Sequence, residues 1–205
     1  MIYTVTLNPS LDRIIEVEEL MYDDVNEVVE EKSYPRGKGI DASRVIKKLG
    51  GQSVALGFVG GYSGLEMEGG LVNEGILCDF TEIRDEIRTN VIIYQRKKKL
   101  QTLLSTREPS VSEVESAAFF RKIREIPMNS IVVISGNMPA GMNESFYAQL
   151  ITTLKGKDVR IFLDTDGEPL RTGVDAGPYL IKPNIHEFGR LVKKGVNEID
   201  EIVEY

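Results

Sequence analysis

The sequence predicts an α/β fold with a mostly parallel central sheet, and three observations support that prediction. Short β-rich runs alternate with helical patterns along the 205 residues. The runs are almost continuously apolar, as expected of strands that are covered by helices on both faces. Five of them lead into segments that carry Gly, Asn, Asp or Lys at the strand end. Because ligands bind beyond the carboxyl ends of parallel strands, these five ends predict a ligand cleft at one edge of the sheet.

The individual elements follow from the periodicity of the apolar residues. The predicted strands of the sheet are Ile2–Leu7, Ser53–Val59, Ser130–Ser135, Val159–Asp164 and Pro178–Lys182. The predicted helices are Asp41–Leu49, Leu65–Glu74, Val111–Arg124, Glu144–Leu154 and His186–Lys194. Ser110 and Asn143 precede the third and fourth helices and are their predicted N-caps.

Two further regions, Arg13–Tyr34 and Val91–Leu104, alternate apolar and polar residues with period two. The second contains the basic turn RKKK (96–99), which is typical of a hairpin. We predict a small antiparallel sheet from residues 13–34 and 91–104 that forms a lid over a core of residues 1–12, 35–90 and 105–205. A second copy of the lid is one candidate to cover its apolar face.

The composition and net charge of the chain narrow the range of functions and cellular locations that the sequence predicts. The net charge of −7 disfavours nucleic acid and anionic membranes as partners. The longest apolar runs are far shorter than the ~20 residues of a membrane helix, and the N-terminal segment lacks the pattern of a signal peptide. A single cysteine permits no disulfide framework. The sequence therefore predicts a cytoplasmic protein with a small-molecule ligand.

The segment RGKGI (36–40) places Lys38 between two glycines, directly before a helical pattern. Such a turn lets backbone N–H groups approach an anion at a helix N-terminus, although a glycine turn before a helix is more often just a turn. It is not a Walker A loop, because the required Gly-x-x-x-x-Gly-Lys-Ser/Thr spacing is absent. It is also a poor dinucleotide fingerprint, because a charged segment broken by Pro35 precedes it.

The segment KPNIHE (182–187) ends the last predicted strand. Asn184 and Glu187 are three residues apart and would share a helix face. They suit either a hydrated Mg²⁺ ion or a capping box, and spacing alone favours the capping box. Asp164, at another strand end, is expected to have a structural or nucleotide-side role.

Six ordered segments together resemble one family, the pfkB-type carbohydrate kinases of the ribokinase-like superfamily. The pattern is nearest to that of 1-phosphofructokinases and tagatose-6-phosphate kinases. The segments are TVTLNPSLD, GKGIDASRVIKKLGG with ALGFVGGYSG, IRTNV, VISGNMPAG, FLDTDGEPL and LIKPNIHE. The resemblance implies a ribokinase-like three-layer α/β/α fold with a small β-sheet lid.

The resemblance also implies an activity: ATP-dependent phosphoryl transfer, with Mg²⁺, to a hydroxyl of a sugar phosphate. Fructose 1-phosphate, fructose 6-phosphate and tagatose 6-phosphate are the candidate substrates. A homodimer through the lid is expected, as in the family. Two alternatives stay open: a kinase of an unphosphorylated sugar or nucleoside, and a non-catalytic sugar-phosphate-binding fragment or pseudokinase.

The family's functional residues can be carried over position by position. The substrate-binding residues that the resemblance implies are Asp12, Gly37, Lys38, Gly39, Asp41, Arg88, Asn90, Ser135 and Asn137. Asp12 would bind sugar hydroxyls, whereas Lys38 and Arg88 would meet the phosphate. Lys182, Asn184 and Glu187 match the nucleotide-binding and Mg²⁺ region, with Glu187 as the metal ligand. The resemblance therefore raises the Mg²⁺ interpretation of this segment above the capping box, although both can hold.

Three departures from the family pattern change what is expected. Arg36 replaces a small residue, and Asp41 replaces an asparagine and should weaken anion binding unless Arg36 or Lys38 pairs with it. The family's Gly-Ala-Gly-Asp turn, which carries the catalytic base, does not occur, and a helical pattern at Asn197–Tyr205 runs to the last residue. The sequence is therefore expected to be an N-terminal portion of the fold without its base.

Overall fold

The computed structural model describes residues 1–195 as strands and helices that alternate along the chain. The strands are β1 (Ile2–Thr6), β2 (Ser10–Val17), β3 (Glu30–Arg36), β4 (Ser53–Val59), β5 (Leu77–Cys78), β6 (Thr81–Glu82), β7 (Arg88–Gln95), β8 (Leu100–Ser105), β9 (Ile131–Ser135), β10 (Arg160–Asp164) and β11 (Leu180–Ile181). The helices are α1 (Lys38–Lys48), α2 (Gly61–Asn73), α3 (Glu113–Glu125), α4 (Phe146–Leu154), α5 (Gly167–Asp175) and α6 (Ile185–Val192). The predicted helical pattern at Asn197–Tyr205 lies outside the described residues.

The central sheet has the strand order β11-β10-β9-β1-β4-β5, and β6 also pairs with β4. Every pairing described in this sheet is parallel. β1 lies between β9 and β4, in register from Ile2 opposite Ile131 and Ser53. The carboxyl ends of all these strands therefore meet at one edge, as the sequence predicts.

Helices cover both faces of this sheet, which gives three layers. Leu56 and Phe58 of β4 belong to a buried cluster with Phe119 of α3 and Tyr147 of α4. The alternate residues Ala55 and Val59 pack in a second cluster with Ile40, Met67 and Leu71 of α1 and α2. The side chains of a strand alternate between the two faces, so a continuously apolar strand requires a helical layer on each.

The second sheet has four strands in the order β3-β2-β7-β8. The pairs β2–β3 and β7–β8 are antiparallel, and the turn at residues 96–99 closes the predicted hairpin. The central pair β2–β7 is parallel, so the prediction of a purely antiparallel lid is wrong at this pair. A tight turn enforces antiparallel pairing only within a hairpin, whereas a long segment that includes α1 and α2 separates β2 from β7.

Three local predictions are corrected by the structure. The helix α5 was not predicted, and Asp166 caps it by accepting from the backbone N–H of Gly167. Ser112 caps α3 in a capping box with Glu115, so Ser110 is not the N-cap. The N-cap of α4 is Ser145, without a side-chain cap, because Asn143 instead accepts from the Ser145 N–H in the turn before it. The two capping errors concern helix starts, where several polar residues within two or three positions compete for the cap.

No helix among residues 1–195 is both long and apolar enough to span a membrane.

A substitution at Gly57 in β4 tests whether the close packing of β1 against β4 requires glycine at this position. A Cβ atom at this position would lie 1.9 Å from the carbonyl oxygen of Thr6. We expect Gly57→Ala to lower the free energy of unfolding by about 2 kcal/mol or more, because the two paired strands must separate. Urea denaturation measures this change.

Gly69, in the exposed face of α2, is the matched control, because a Cβ atom there meets nothing within 4 Å. Gly69→Ala should raise the free energy of unfolding by roughly 0.5–1 kcal/mol. Equal effects of the two substitutions would contradict the packing argument.

Candidate active site

Four polar side chains meet at the carboxyl ends of β9, β10 and β11. Asp164 is central: its Oδ1 lies 3.1 Å from Lys182 Nζ and 3.5 Å from Lys38 Nζ. Ser135 Oγ donates a hydrogen bond of 3.1 Å to Asp164 Oδ2. The Asp164 side chain is only 16% exposed, whereas the two lysine side chains are more than half exposed. We call Lys38, Ser135, Asp164 and Lys182 the strand-end cluster.

The lysines balance the charge of Asp164 without saturating it. Within the described part of the chain, Asp164 Oδ1 is buried and accepts no well-directed hydrogen bond, although both ammonium groups lie within ion-pair distance. Burial raises the pKa of the Tyr147 hydroxyl above its ordinary range, and the negative charge of Asp164 acts in the same direction. Tyr147 therefore stays neutral, and it donates to the carbonyl of Gly136 in the adjacent loop.

The glycines around Lys38 have a packing role. A Cβ atom on Gly39 would lie 2.8 Å from the Val5 carbonyl oxygen, and one on Gly37 would lie 2.5 Å from Thr6 Cγ2. The Ile40 N–H donates to Thr6 Oγ1 at 3.2 Å. The start of α1 is thus pressed against the end of β1, and this contact places Lys38 beside the carboxyl ends of the strands.

A second group of polar residues lies where the four-stranded sheet joins the core. Asp12 on β2 stands opposite Asn90 on β7. Asp12 Oδ1 accepts from Asn90 Nδ2 at 2.7 Å and from Ser10 Oγ at 2.9 Å. Ser105 Oγ in turn donates to Asn90 Oδ1 at 2.8 Å. We call Ser10, Asp12, Asn90 and Ser105 the lid-base cluster.

Two arginines border the lid-base cluster. Arg36 Nε lies 3.7 Å from Asp12 Oδ2, and its guanidinium lies over the Tyr34 ring at 5.8 Å from the centroid. Arg88 Nη2 reaches the backbone carbonyl of Asn8 at 3.5 Å, whereas Arg88 Nε is buried without a hydrogen-bond partner among the described residues. The arginines therefore retain donor capacity for an anion.

Asp41 was expected to weaken anion binding unless Arg36 or Lys38 paired with it, and it pairs with neither of them in the structure. Its partner is Arg44, one turn further along α1, at 2.9 Å. Arg44 also makes two hydrogen bonds to Glu74, which raise the pKa of Arg44, and Arg44 lowers the pKa of Glu74. Residues three apart on a helix are neighbours, so the charge of Asp41 is balanced locally while Lys38 pairs with Asp164.

Asn184 and Glu187 form a capping box at the start of α6. Asn184 Oδ1 accepts from the backbone N–H groups of His186 and Glu187 at 3.0 and 2.9 Å, and Glu187 Oε2 accepts from the Asn184 N–H at 2.7 Å. The capping interpretation is therefore confirmed. Residues 1–195 contain no group of three or more His, Cys, Asp and Glu side chains arranged to hold a metal ion. The Mg²⁺ role of Glu187 stays a prediction.

A cavity of about 390 Å³ opens beside the strand-end cluster, between α1 and strands β9–β11. Its polar lining includes Lys38, Asp41, Ser135, Asp164 and Lys182, and its apolar lining includes Val133, Phe162 and Leu180. Asn137, in the loop after β9, is exposed. The structure thus brings predicted substrate-side and nucleotide-side residues to the same edge.

Sequence reasoning did not single out three residues that organise this region: Asn8, Ser10 and Glu108. Ser10 bonds to Asp12, and Glu108 bonds to Asn8 across 100 positions of sequence. For Ser10, the alternation of β2 places its side chain on the same face as Asp12, and that pattern was a usable signal. The contact of Glu108 has no local signal, because only the folded chain brings the two segments together.

The fold is one that carbohydrate kinases adopt, and the sequence shows the same relationship. The sequence profile of the pfkB family carbohydrate kinases matches residues 5–205, so the chain belongs to this family. Its three-layer architecture with a separate small sheet is ribokinase-like. The prediction of family and fold class from the six motifs is confirmed.

Named relatives are consistent with that membership. The chain is 34% identical over 205 residues to a 1-phosphofructokinase of Bacillus subtilis and covers 67% of it. It is 35% identical to a D-tagatose-1-phosphate kinase of Bacillus licheniformis and covers 66% of that protein. Phosphofructokinase-2 of Escherichia coli in complex with fructose-6-phosphate superposes with a TM-score of 0.89 at 28% identity, over 99% of this chain and 67% of its own. The chain therefore spans about two thirds of the length of these relatives.

The capping box gives a test of what Asn184 does. We expect Asn184→Ala to lower the free energy of unfolding by about 1 kcal/mol, because two N–H groups lose their acceptor. Asn184→Asp is the matched control and should stay close to the parent protein, since aspartate caps equally well. Urea denaturation distinguishes them, and a destabilised Asn184→Asp variant would contradict a purely capping role in stability.

Proposed function

We propose that this chain carries the sugar-phosphate site, and part of the nucleotide site, of a kinase that transfers the γ-phosphoryl group of ATP to a sugar-phosphate hydroxyl. Family membership and the names of the relatives support this proposal. The observation that carries it is the convergence of Lys38 and Lys182 on the partly saturated carboxylate of Asp164, at the edge where ligands bind. Phosphoryl transfer depends on positioning and charge neutralisation, and such a cluster suits both.

A phosphorylated sugar is a better candidate than a neutral one. The chain has a net charge of −7, so long-range electrostatics repel anions. Cations at the site offset this repulsion locally, and Lys38, Arg36 and Arg88 lie along the same edge. A neutral sugar or nucleoside would gain little from them. Among the candidates we favour ketohexose 1-phosphates, since two relatives are a 1-phosphofructokinase and a D-tagatose-1-phosphate kinase.

We assign the sugar end of the substrate to the lid-base cluster. Asp12 Oδ1 accepts hydrogen bonds from Ser10 and Asn90, while Oδ2 makes a longer ion-pair contact with Arg36. A sugar hydroxyl can donate to Oδ2, and Arg36 or Arg88 can then pair with the phosphate. We expect Ser135, at the end of β9, and Asn137, in the loop after it, to border the same cleft.

We assign the nucleotide end to Lys182 and the start of α6. Lys182 follows β11 with its ammonium group at Asp164, and Glu187 uses one carboxylate oxygen in the capping box. The other oxygen can accept from a water of hydrated Mg²⁺, which needs few protein ligands, so the residues present fit the ion. The bound ion would neutralise negative charge on the ATP phosphates. Lys182 would contribute a further positive charge there.

Lys38 tests the phosphate site. We expect Lys38→Ala to weaken binding of fructose 1-phosphate by about tenfold or more, because a charge-assisted hydrogen bond contributes roughly 1.5–3 kcal/mol. Isothermal titration of this chain with fructose 1-phosphate measures the change. Lys97→Ala, in the exposed hairpin turn, is the control and should bind as the parent chain does.

Parallel titrations with fructose 6-phosphate, tagatose 1-phosphate, tagatose 6-phosphate, fructose and adenosine define the substrate class. Binding of only fructose or adenosine would contradict the assignment of Lys38 and the arginines to a phosphate. Binding of none of the six compounds would overturn the proposed function as a whole.

We further propose a cytoplasmic homodimer that pairs through the four-stranded sheet. β8 is an edge strand, and all six of its residues are exposed. Leu100, Leu103 and Leu104 in this strand are each more than half exposed. An apolar edge strand attracts a further strand, and a second copy of the same edge is a complementary partner.

A charge on β8 should therefore shift the protein towards the monomer. We expect Leu103→Lys to lower the dimer fraction, because it places ammonium groups in the proposed contact. Light scattering after size-exclusion chromatography measures the mass. Leu49→Lys is the control, since Leu49 is 82% exposed at the end of α1. Equal masses for both variants would contradict the proposed interface.

A further inference from the structure

Glu108, in the segment between β8 and α3, bridges two segments that border the site. Its Oε1 accepts from Asn8 Nδ2 at 2.9 Å, and its Oε2 accepts from the backbone N–H of Ala140 at 2.9 Å. Asn8 follows β1 and is 4% exposed, so this bridge is anchored in the interior. Ala140 belongs to the loop that follows β9. One carboxylate thus ties the end of β1 to the loop after β9.

Both tied segments lead to the proposed phosphate site. The carbonyl oxygen of Asn8 is the acceptor that Arg88 Nη2 reaches at 3.5 Å. The loop after β9 begins at Gly136, whose carbonyl accepts from Tyr147 and from Thr165, and it carries Asn137. The start of this loop is therefore held by Tyr147 and Thr165, and its middle, at Ala140, is held by Glu108.

The bridge also decides how the Asn8 amide is oriented. A carboxylate only accepts hydrogen bonds, so Asn8 must turn its NH₂ group towards Glu108. Its Oδ1 then points away, buried and without a partner among residues 1–195. Arg88 Nε is likewise buried and unpartnered in that part of the chain. Unpaired buried acceptors and donors are rare in folded proteins. Asn8 Oδ1 and Arg88 Nε are two such atoms, and they belong to the two residues that the Arg88–Asn8 contact joins.

We propose that Glu108 is a positioning residue of the sugar-phosphate site, and this proposal rests on the proposed function. Glu108 fixes Asn8, and through Asn8 the guanidinium of Arg88, relative to the loop that carries Asn137. Glu108 itself need not touch the substrate. The bridge keeps the guanidinium of Arg88 at a fixed distance from the loop after β9. The phosphate and hydroxyl groups of the substrate then bind to groups that are already in position.

A reciprocal exchange tests this role. In Glu108→Ala the Asn8 NH₂ group and the Ala140 N–H both lose their acceptor, so the bridge is removed. In Asn8→Asp two carboxylates face each other, which also breaks the bridge. The double variant combines Asn8→Asp with Glu108→Gln. The new carboxylate at position 8 then accepts from the new amide at position 108, whose carbonyl oxygen accepts from the Ala140 N–H, so the bridge is restored.

The readout is the dissociation constant for fructose 1-phosphate, measured by isothermal titration of the whole chain. We expect each single variant to bind about tenfold more weakly, and the double variant to return to within about threefold of the parent chain. Urea denaturation checks that each variant is fully folded at the titration temperature, so that lost binding is not lost folding. Glu125→Gln, on the exposed end of α3, is the control and should bind as the parent chain does.

The outcomes separate the two proposals. If the parent chain binds a hexose phosphate and Glu108→Ala binds it equally well, the positioning role is overturned while the proposed function stands. A weakened single variant that the exchange does not rescue also overturns the bridge. If the parent chain binds no sugar phosphate, the proposed function fails, and the positioning role fails with it.

Discussion

The parallel pairing of β1 with β9 on one side and β4 on the other is the constraint on which the site depends. This pairing brings the ends of strands that are far apart in sequence to one edge. The start of α1 then packs so closely on β1 that only glycine fits at positions 37 and 39. Lys38 lies between those glycines, so its position at the strand ends follows from backbone packing.

Three cations near the cleft, Lys38, Lys182 and Arg36, each have a local counter-charge that does not saturate them. Asp164 holds Lys38 and Lys182 at ion-pair distance, and Asp12 faces Arg36 at a longer one. By contrast, Arg44 is fully engaged by Asp41 and Glu74. An ammonium group has three donors, so each lysine can contact an anionic ligand while it stays paired with Asp164. This arrangement would let an acidic protein keep the proposed anion-binding groups in place before the ligand arrives.

The four-stranded sheet carries candidate residues of the proposed site. Asp12, Arg36, Arg88 and Asn90 all lie on its strands, close to where those strands leave the core. The parallel pair β2–β7 aligns Asp12 with Asn90, and this alignment creates the lid-base cluster. A displacement of the sheet would therefore move sugar-binding candidates directly, which couples the lid to the proposed substrate.

The sequence by itself determined the α/β class, the five core strands, the hairpin turn and the family, because these depend on local periodicity and on ordered motifs. It also placed the Asn184–Glu187 capping box, which needs only a spacing of three. The tertiary structure alone decided the parallel β2–β7 pair, the partner of Asp41, and the bridges that Asp164 and Glu108 make. Those contacts join residues up to 100 positions apart. Local patterns carry no information on them, because only the folded backbone sets which distant side chains come within hydrogen-bond distance.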